Sequence, residues 1–157
     1  MGTPLFQSEG VNVEIRKTEY WDDVDVMWLG ISTSPNLASI QKLSTVFEMW
    51  LKNSERMFIL WPEDVQESEQ LAPPDLPSLI HIVSRLLEHR ELIKERLVCT
   101  CIQTKGLDGL LKMVKETFLS MYTPIAPFDL VVGPNEADHF VKKCIKKRKK
   151  ICTVTSV

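Results

Sequence analysis

The sequence predicts an α/β protein built on a mixed, mostly parallel sheet. Some segments are short and are either continuously apolar or alternate apolar and polar residues, which is typical of strands. They are separated by longer segments whose apolar residues recur every three or four positions, which is typical of helices. Strands that alternate with helices favour a sheet whose later strands run parallel. The chain has 157 residues, 44% of them apolar and 25% charged, which fits one ordinary globular domain with a real core.

The first half of the chain predicts two strands and a helix. Val11–Ile15 alternates apolar and polar residues, as a half-buried strand does, and Val24–Ile31 is a second strand close enough to pair with it as an antiparallel hairpin. Ser34–Pro35 is a typical helix start, and helical spacing continues to Asn53. Residues 1–10 show neither period, so we expect a flexible lead-in.

A buried strand followed by an amphipathic helix occupies the middle of the chain. Met57–Trp61 is a continuous apolar run, the pattern of a strand buried on both faces. Asp75 stands where an N-cap should be, and Pro77 lies in the first turn, where a missing N–H costs little. The apolar residues of the helix follow at helical spacing: Leu76, Leu79, Ile80, Val83, Leu86 and Leu87.

The second half of the chain repeats the strand–helix order twice. Leu97–Gln103 is rich in β-forming residues and predicts a strand, and the helix that starts near Leu107 must end before two prolines. Phe128–Val132 is the last strand, and the last helix follows it. The predicted order is therefore β-β-α-β-α-β-α-β-α, with helices covering the sheet, in a single domain over residues 11–147. Residues 148–157 are expected to form a basic, disordered tail.

This order of elements, over roughly Val11 to Lys147, resembles the STAS domain of bacterial anti-sigma-factor antagonists and sulfate-transporter tails. In that family the helix after the central strand opens with an Asp-Ser-Ser-Gly signature whose serine a partner kinase phosphorylates. The corresponding stretch here is Asp75-Leu76-Pro77-Ser78-Leu79. Asp75 takes the place of the aspartate, and the phosphorylated serine falls on Pro77 without a gap or on Ser78 after a one-residue shift. The resemblance implies a STAS-like fold and a phosphorylation-controlled module.

The loop and helix start over residues 65–79 are the predicted partner surface. In α/β sheets functional loops lie at the carboxyl ends of the strands, and this loop follows the most apolar strand. A phosphate on Ser78 would lie in a first helical turn, where free N–H groups favour an anion. We therefore expect a non-enzymatic regulatory or scaffolding module that binds a protein partner. The predicted contact residues are Glu67, Glu69, Asp75, Ser78 and His81.

The sequence offers little support for an enzyme or a cofactor. No nucleophile stands in a recognisable pattern with a base and an orienting group, and the glycine-rich phosphate loop is missing. The three histidines and four cysteines do not fall at zinc-site spacings. We therefore expect no catalysis, no metal and no cofactor. Without a secretory signal at the start, we expect reduced thiols and a cytoplasmic location.

A dense basic segment near the end of the chain contrasts with an acidic body. The other 12 basic residues face 21 acidic ones, a net charge of −9. Such a segment fits an anionic membrane surface, nucleic acid phosphates or a nuclear-import receptor. Nucleic acid is the weaker alternative, because the body would repel it and no aromatic residues interleave the lysines. A peripheral membrane protein is thus the alternative function. The segment comprises Lys142, Lys143, Lys146, Lys147, Arg148, Lys149 and Lys150.

Overall fold

A computed structural model describes residues 2–8, 10–33, 36–65, 75–106 and 109–155. One six-stranded sheet carries its strands in chain order. The first three strands are antiparallel, and the third to sixth run parallel to one another. The predicted α/β class with a mixed, mostly parallel sheet is thereby confirmed. The strands are β1 (Thr3–Ser8), β2 (Val11–Lys17), β3 (Val24–Ile31), β4 (Met57–Asp64), β5 (Leu97–Thr104) and β6 (Phe128–Val132).

Five helices connect or follow the strands. Two of the observed elements were absent from the predicted order: β1 in the expected lead-in, and a short helix before β5. Helix 1 has Asn36 as its N-cap, whereas Ser34 and Pro35 lie outside the described residues. The helices are α1 (Leu37–Asn53), α2 (Leu76–Glu88), α3 (Arg90–Arg96), α4 (Gly109–Met121) and α5 (Gly133–Thr155).

The two ends of the chain differ from the prediction for tertiary reasons. β1 pairs with β2, and its Leu5 and Phe6 pack on the apolar side of β2 and β3, but a register shift after Pro4 breaks the alternation that would have revealed a strand. α5 continues through Lys147 to Thr155 instead of ending in a loose tail. Arg148 is one reason, because its guanidinium donates a hydrogen bond to the backbone carbonyl of Glu95.

The two faces of the sheet carry different helices. On one face, Met27 of β3 and Phe58 of β4 pack against the aromatic side chains of α1, and Phe128 of β6 packs with α2 and α4. On the other face, alternate residues of the same strands, such as Val26 and Ile59, pack against α5. This division follows from the topology, since right-handed crossovers that all step in one direction place their helices on one face.

A buried arginine joins α1, α3 and the sheet. Arg96 is 7% exposed, and its guanidinium donates hydrogen bonds to the backbone carbonyls of Leu51, at 2.6 Å, and Ser54. These carbonyls end α1, where the helix itself provides no partner. The guanidinium also lies 5.8 Å from the ring centroid of Trp50 and 5.9 Å from that of Phe58. Burial lowers the pKa of Arg96, so the charge is held at a desolvation cost that these contacts offset.

Replacing Arg96 with methionine tests this role. The variant keeps an unbranched side chain but leaves the carbonyls of Leu51 and Ser54 without their charged donor, so we expect it to lose about 2–3 kcal/mol of unfolding free energy. Urea unfolding followed by circular dichroism measures the change. Lys94→Met, on the exposed side of the same helix, is the control and should change stability by less than about 0.5 kcal/mol. Equal stabilities of the two variants would contradict the role given to Arg96.

Candidate functional site

The start of α2 has the predicted N-cap. Asp75 is exposed, and its Oδ1 accepts a hydrogen bond from the backbone N–H of Ser78 at 2.9 Å. Hydrogen bonding to Ser78 lowers the pKa of Asp75, because the charged carboxylate is the better acceptor. The predicted contact residues Glu67 and Glu69 lie outside the described residues, and His81 is half-buried.

Ser78 lies in the interior of the protein. Its exposure is 0%, and it shares the buried side of α2 with Leu79 and Val83. A kinase needs the hydroxyl group in extended, accessible chain, so modification of Ser78 would require the first turn of α2 to open. Phosphorylation of Ser78 stays a prediction. The helical spacing of the sequence did not indicate that the Ser78 side chain is buried.

A different set of residues faces outward from α2. Leu76, Ile80 and Leu87 are 55%, 52% and 49% exposed, although the sequence pattern included them in one amphipathic stripe with the buried residues. They recur at four- and seven-residue steps, so they share one side of the helix. We call these three residues the α2 apolar stripe. Sequence reasoning missed it because the apolar arc of α2 is wider than the surface that the neighbouring helices cover.

The inward side of α2 is fixed by charge as well as by apolar packing. Glu48 of α1 pairs with Arg85 Nε at 3.1 Å and lies 3.3 Å from His89 Nε2. Arg85 pairs in addition with Glu88 on its own helix. These contacts orient α2 against α1 and thereby determine which of its sides remains outward.

A polar crevice opens at the carboxyl edge of β4, β5 and β6, next to the first turn of α5. Its volume is about 850 Å³. Two of its polar side chains accept hydrogen bonds: Gln103 Oε1 accepts from Trp61 Nε1 at 3.0 Å, and Glu63 Oε1 accepts from Trp28 Nε1, which lies outside the lining, at 3.3 Å. The described lining contains no serine, cysteine or histidine. The crevice is lined by Trp61, Glu63, Asp64, Gln103, Thr104, Lys105, Gly133, Pro134, Asn135 and Asp138.

The surface beside this crevice holds an unusually placed tryptophan. The ring of Trp28 lies over Gly30, where an added Cβ would come within 2.3 Å of the indole. The guanidinium of Arg16 lies 3.7 Å from the ring centroid. Gly30 is therefore needed for the close approach of the ring, and the indole is positioned by a cation–π contact and by its hydrogen bond to Glu63.

The basic segment lies within α5, and the turn of the helix directs its residues to different sides. Three of its seven residues contact the protein body. Lys142 pairs with Asp138 at 3.3 Å, Arg148 binds the Glu95 carbonyl, and Lys149 Nζ donates to the Tyr20 carbonyl at 2.8 Å. The other four are exposed on the side of α5 away from the sheet: Lys143, Lys146, Lys147 and Lys150.

Two aromatic residues from a distant part of the chain lie beside the basic segment, although no aromatic residue interleaves its lysines in the sequence. The ammonium of Lys142 lies 5.0 Å from the ring centroid of Tyr20, and that of Lys149 lies 5.5 Å from the ring centroid of Trp21. The turn before β3 brings both rings to α5. Each ring already has a lysine next to it, so these aromatics hold α5 in place.

A hydrogen bond from Tyr20 to Asp138 adds to the contact between α5 and the turn before β3. Tyr20 Oη donates to Asp138 Oδ1 at 2.5 Å. The hydrogen bond lowers the pKa of Asp138 and raises that of Tyr20, and the Asp138 carboxylate raises the pKa of Lys142. Because the pKa of Asp138 is lower in the folded chain than in the unfolded chain, its carboxylate stabilises the fold at pH values above the ordinary aspartate pKa. This stabilisation is lost as the pH falls through the lowered pKa of Asp138.

The described residues give two further findings that bear on function. No helix among them is long and apolar enough to cross a membrane. No group of three or more His, Cys, Asp or Glu side chains that could hold a metal ion occurs within the described ranges.

Comparison with protein-family models, with curated proteins and with solved structures found no match. The resemblance to STAS domains therefore stays a prediction that rests on the order of elements. The candidate sites must be judged from their own geometry, and two surfaces stand out: the α2 apolar stripe and the outward lysines of α5.

Substituting Ser78 with aspartate should destabilise the protein. A carboxylate at this fully buried position would lose its hydration and would lie close to the carboxylate of Asp75, so we expect a loss of about 2 kcal/mol or more of unfolding free energy. Ser84→Asp, on the exposed side of the same helix, should cost less than about 0.5 kcal/mol. Urea unfolding of both variants measures the difference, and a neutral Ser78→Asp would show that the hydroxyl group is accessible after all.

Removing the Tyr20 hydroxyl should raise the pKa of Asp138 towards the ordinary aspartate range. In Tyr20→Phe the carboxylate loses its short hydrogen bond but keeps its pairing with Lys142. NMR titration of the Asp138 carboxyl group in both proteins measures the shift. Asp75, whose pKa is lowered by hydrogen bonding to Ser78 at the start of α2, serves as the internal reference and should titrate alike in both. An unchanged Asp138 pKa would mean that Tyr20 does not hold this carboxylate in solution.

Proposed function

We propose that this chain is a non-enzymatic interaction module, regulatory or scaffolding in role, which binds a protein partner through the α2 apolar stripe. The observation that carries the proposal is the joint exposure of Leu76, Ile80 and Leu87 on one side of one helix. A single exposed leucine is ordinary, whereas several exposed apolar side chains on one side of a helix favour an interaction site.

The geometry of the stripe fits a helix-in-groove mode of recognition. Leu76 and Leu87 are separated by about 16 Å along the helix axis, at the standard rise per residue. Anchors at four- and seven-residue steps are what an amphipathic helix presents to an apolar groove. The complementary surface of the partner is therefore an apolar groove or the apolar face of another helix.

The predicted partner surface over residues 65–79 meets the stripe at its first residue. Leu76 directly follows the cap residue Asp75, so a partner on the stripe would also reach the exposed carboxylate of Asp75. This extends the proposed surface along α2 and removes Ser78 from it, since Ser78 is buried. If the STAS resemblance holds, control by phosphorylation would act by opening the first turn of α2, which would rearrange the stripe.

A cross-linking experiment tests the proposal. A photo-reactive amino acid placed at Ile80 should cross-link a protein partner in the native cells, and its identity then allows affinity measurements with purified protein. The double variant Ile80→Glu/Leu87→Glu should weaken that affinity about tenfold or more, because buried apolar anchors commonly contribute this much. Folding should be unaffected, because both residues are exposed.

Ile151→Glu is the matched control. Ile151 is 49% exposed, the same as Leu87, but it lies on α5, on the opposite face of the sheet. We expect this variant to bind the partner with unchanged affinity. Equal weakening by both variants, or undiminished binding by Ile80→Glu/Leu87→Glu, would contradict the assignment of the partner surface to α2.

A further inference from the structure

α5 has one anchored side and one outward side. Its anchored side is fully or nearly fully buried against the sheet, with Ala137, Val141, Cys144 and Ile145 between 0% and 5% exposed. At 100° per residue, Lys143, Lys146, Lys147 and Lys150 fall within an arc of about 100° on the opposite side and within about 10 Å along the axis. We call these four residues the α5 lysine stripe.

The α5 lysine stripe is distinguished from the other three basic residues of the segment by its lack of internal partners. Within the described part of the chain, no ion pair or hydrogen bond engages these four ammonium groups. Lys142, Arg148 and Lys149 instead contact Asp138, Glu95 and Tyr20. Like charges packed closely together repel one another, so four unneutralised lysines within about two helical turns favour an anionic partner.

We infer that the α5 lysine stripe is a contact surface for an anionic lipid bilayer. A lysine is a hydrated point charge on a flexible stem, suited to a surface of phosphate and carboxylate groups without fixed stereochemistry. The stripe lies on the exposed side of α5, away from the sheet, so a planar surface reaches all four ammonium groups at once. Ile151, four residues after Lys147 and half exposed, adds one apolar side chain at the border of the stripe.

Nucleic acid fits the same surface less well. Arg148, the residue in the segment best suited to bidentate phosphate binding, is turned towards the Glu95 carbonyl. The nearest aromatic rings, Tyr20 and Trp21, lie next to Lys142 and Lys149 and are not presented for base stacking. The outward stripe itself holds only lysines, which contact phosphates without reading bases.

The two proposed surfaces lie on opposite faces of the sheet. α5 packs on one face, whereas α2 belongs to the group of helices on the other. A chain that rests on a bilayer through α5 would therefore present the α2 apolar stripe towards the cell interior, where a protein partner could bind. The bilayer inference stands on different residues from the proposed protein contact, so either can fail alone.

Vesicle binding tests the inference. The full chain is mixed with vesicles of phosphatidylcholine, with or without phosphatidylserine, and the bound fraction is measured by co-sedimentation. We expect binding only to vesicles that contain phosphatidylserine, with affinity that falls as salt is added. Lys143→Gln/Lys147→Gln should weaken binding about 25-fold, from about fivefold per lysine near the surface.

The control variant changes the net charge equally at a distance from α5. Lys52→Gln/Lys112→Gln removes two exposed lysines from α1 and α4, on the other face of the sheet, and should bind within about twofold of the unmodified protein because more distant charges are screened. An equal loss in both variants would mean that net charge alone determines binding, and would overturn the assignment of the stripe. No binding to phosphatidylserine vesicles would overturn it outright.

Two further measurements separate the remaining outcomes. Fluorescence anisotropy with single-stranded and duplex oligonucleotides, in the same buffer, measures the competing ligand. Tighter binding to an oligonucleotide than to vesicles, lost in Lys143→Gln/Lys147→Gln, would replace the bilayer with nucleic acid. The Ile80→Glu/Leu87→Glu variant should bind vesicles normally, and a loss there would show that the bilayer contact is not confined to α5.

Discussion

The packing of α5 against the sheet is the contact on which the rest of the structure depends. Each connection from β3 to β6 moves one strand further in the same direction, so the connecting helices gather on one face. The other face of the parallel strands would remain open to water without α5. Val26, Ile59 and Val131 from three strands meet Val141 and Ile145 there, and all are nearly fully buried.

The same constraint explains why the basic residues face where they do. α5 ends the described chain, and its apolar side packs against the sheet, so its other sides carry polar and charged residues. Contacts from the turn before β3 add Tyr20 and Trp21 on one flank, and Glu95 accepts Arg148 on another. The side of α5 that remains exposed to solvent carries the α5 lysine stripe. The dense basic composition is thus compatible with a folded, anchored helix.

Three cysteines contribute to this packing as small apolar side chains. Cys99 and Cys101 of β5 and Cys144 of α5 are buried in the same cluster. Burial raises the pKa of Cys101 to about 12, and that of Cys99 is also raised, first by its hydrogen bond with Cys144 and then by burial. Both are therefore neutral thiols at physiological pH. Cys99 and Cys101 alternate with Thr100 along β5, so their side chains lie on the same side of the strand, where both belong to this cluster.

Local signals in the sequence predicted most of the helices and strands, and the features that they missed have physical reasons. Asp75 was correctly placed as an N-cap because its pattern is local. The burial of Ser78, the exposure of Leu76 and Ile80, and the role of Arg96 depend on which side of a helix its neighbours cover, and periodicity does not contain that information. The proposed α2 apolar stripe consequently lies on the same helix as the predicted contact residue Ser78 but on a different side of it.

Amide hydrogen exchange along α5, followed by NMR in the purified full chain, tests the central claim most directly. If α5 is anchored as described, amides from Val141 to Ile151 should be protected, with those of Cys144 and Ile145 approaching the protection of Cys99 in β5. Exchange at the rate of an unfolded chain from Lys146 onwards would contradict the account, since the outward lysines would then belong to a loose tail without a fixed surface.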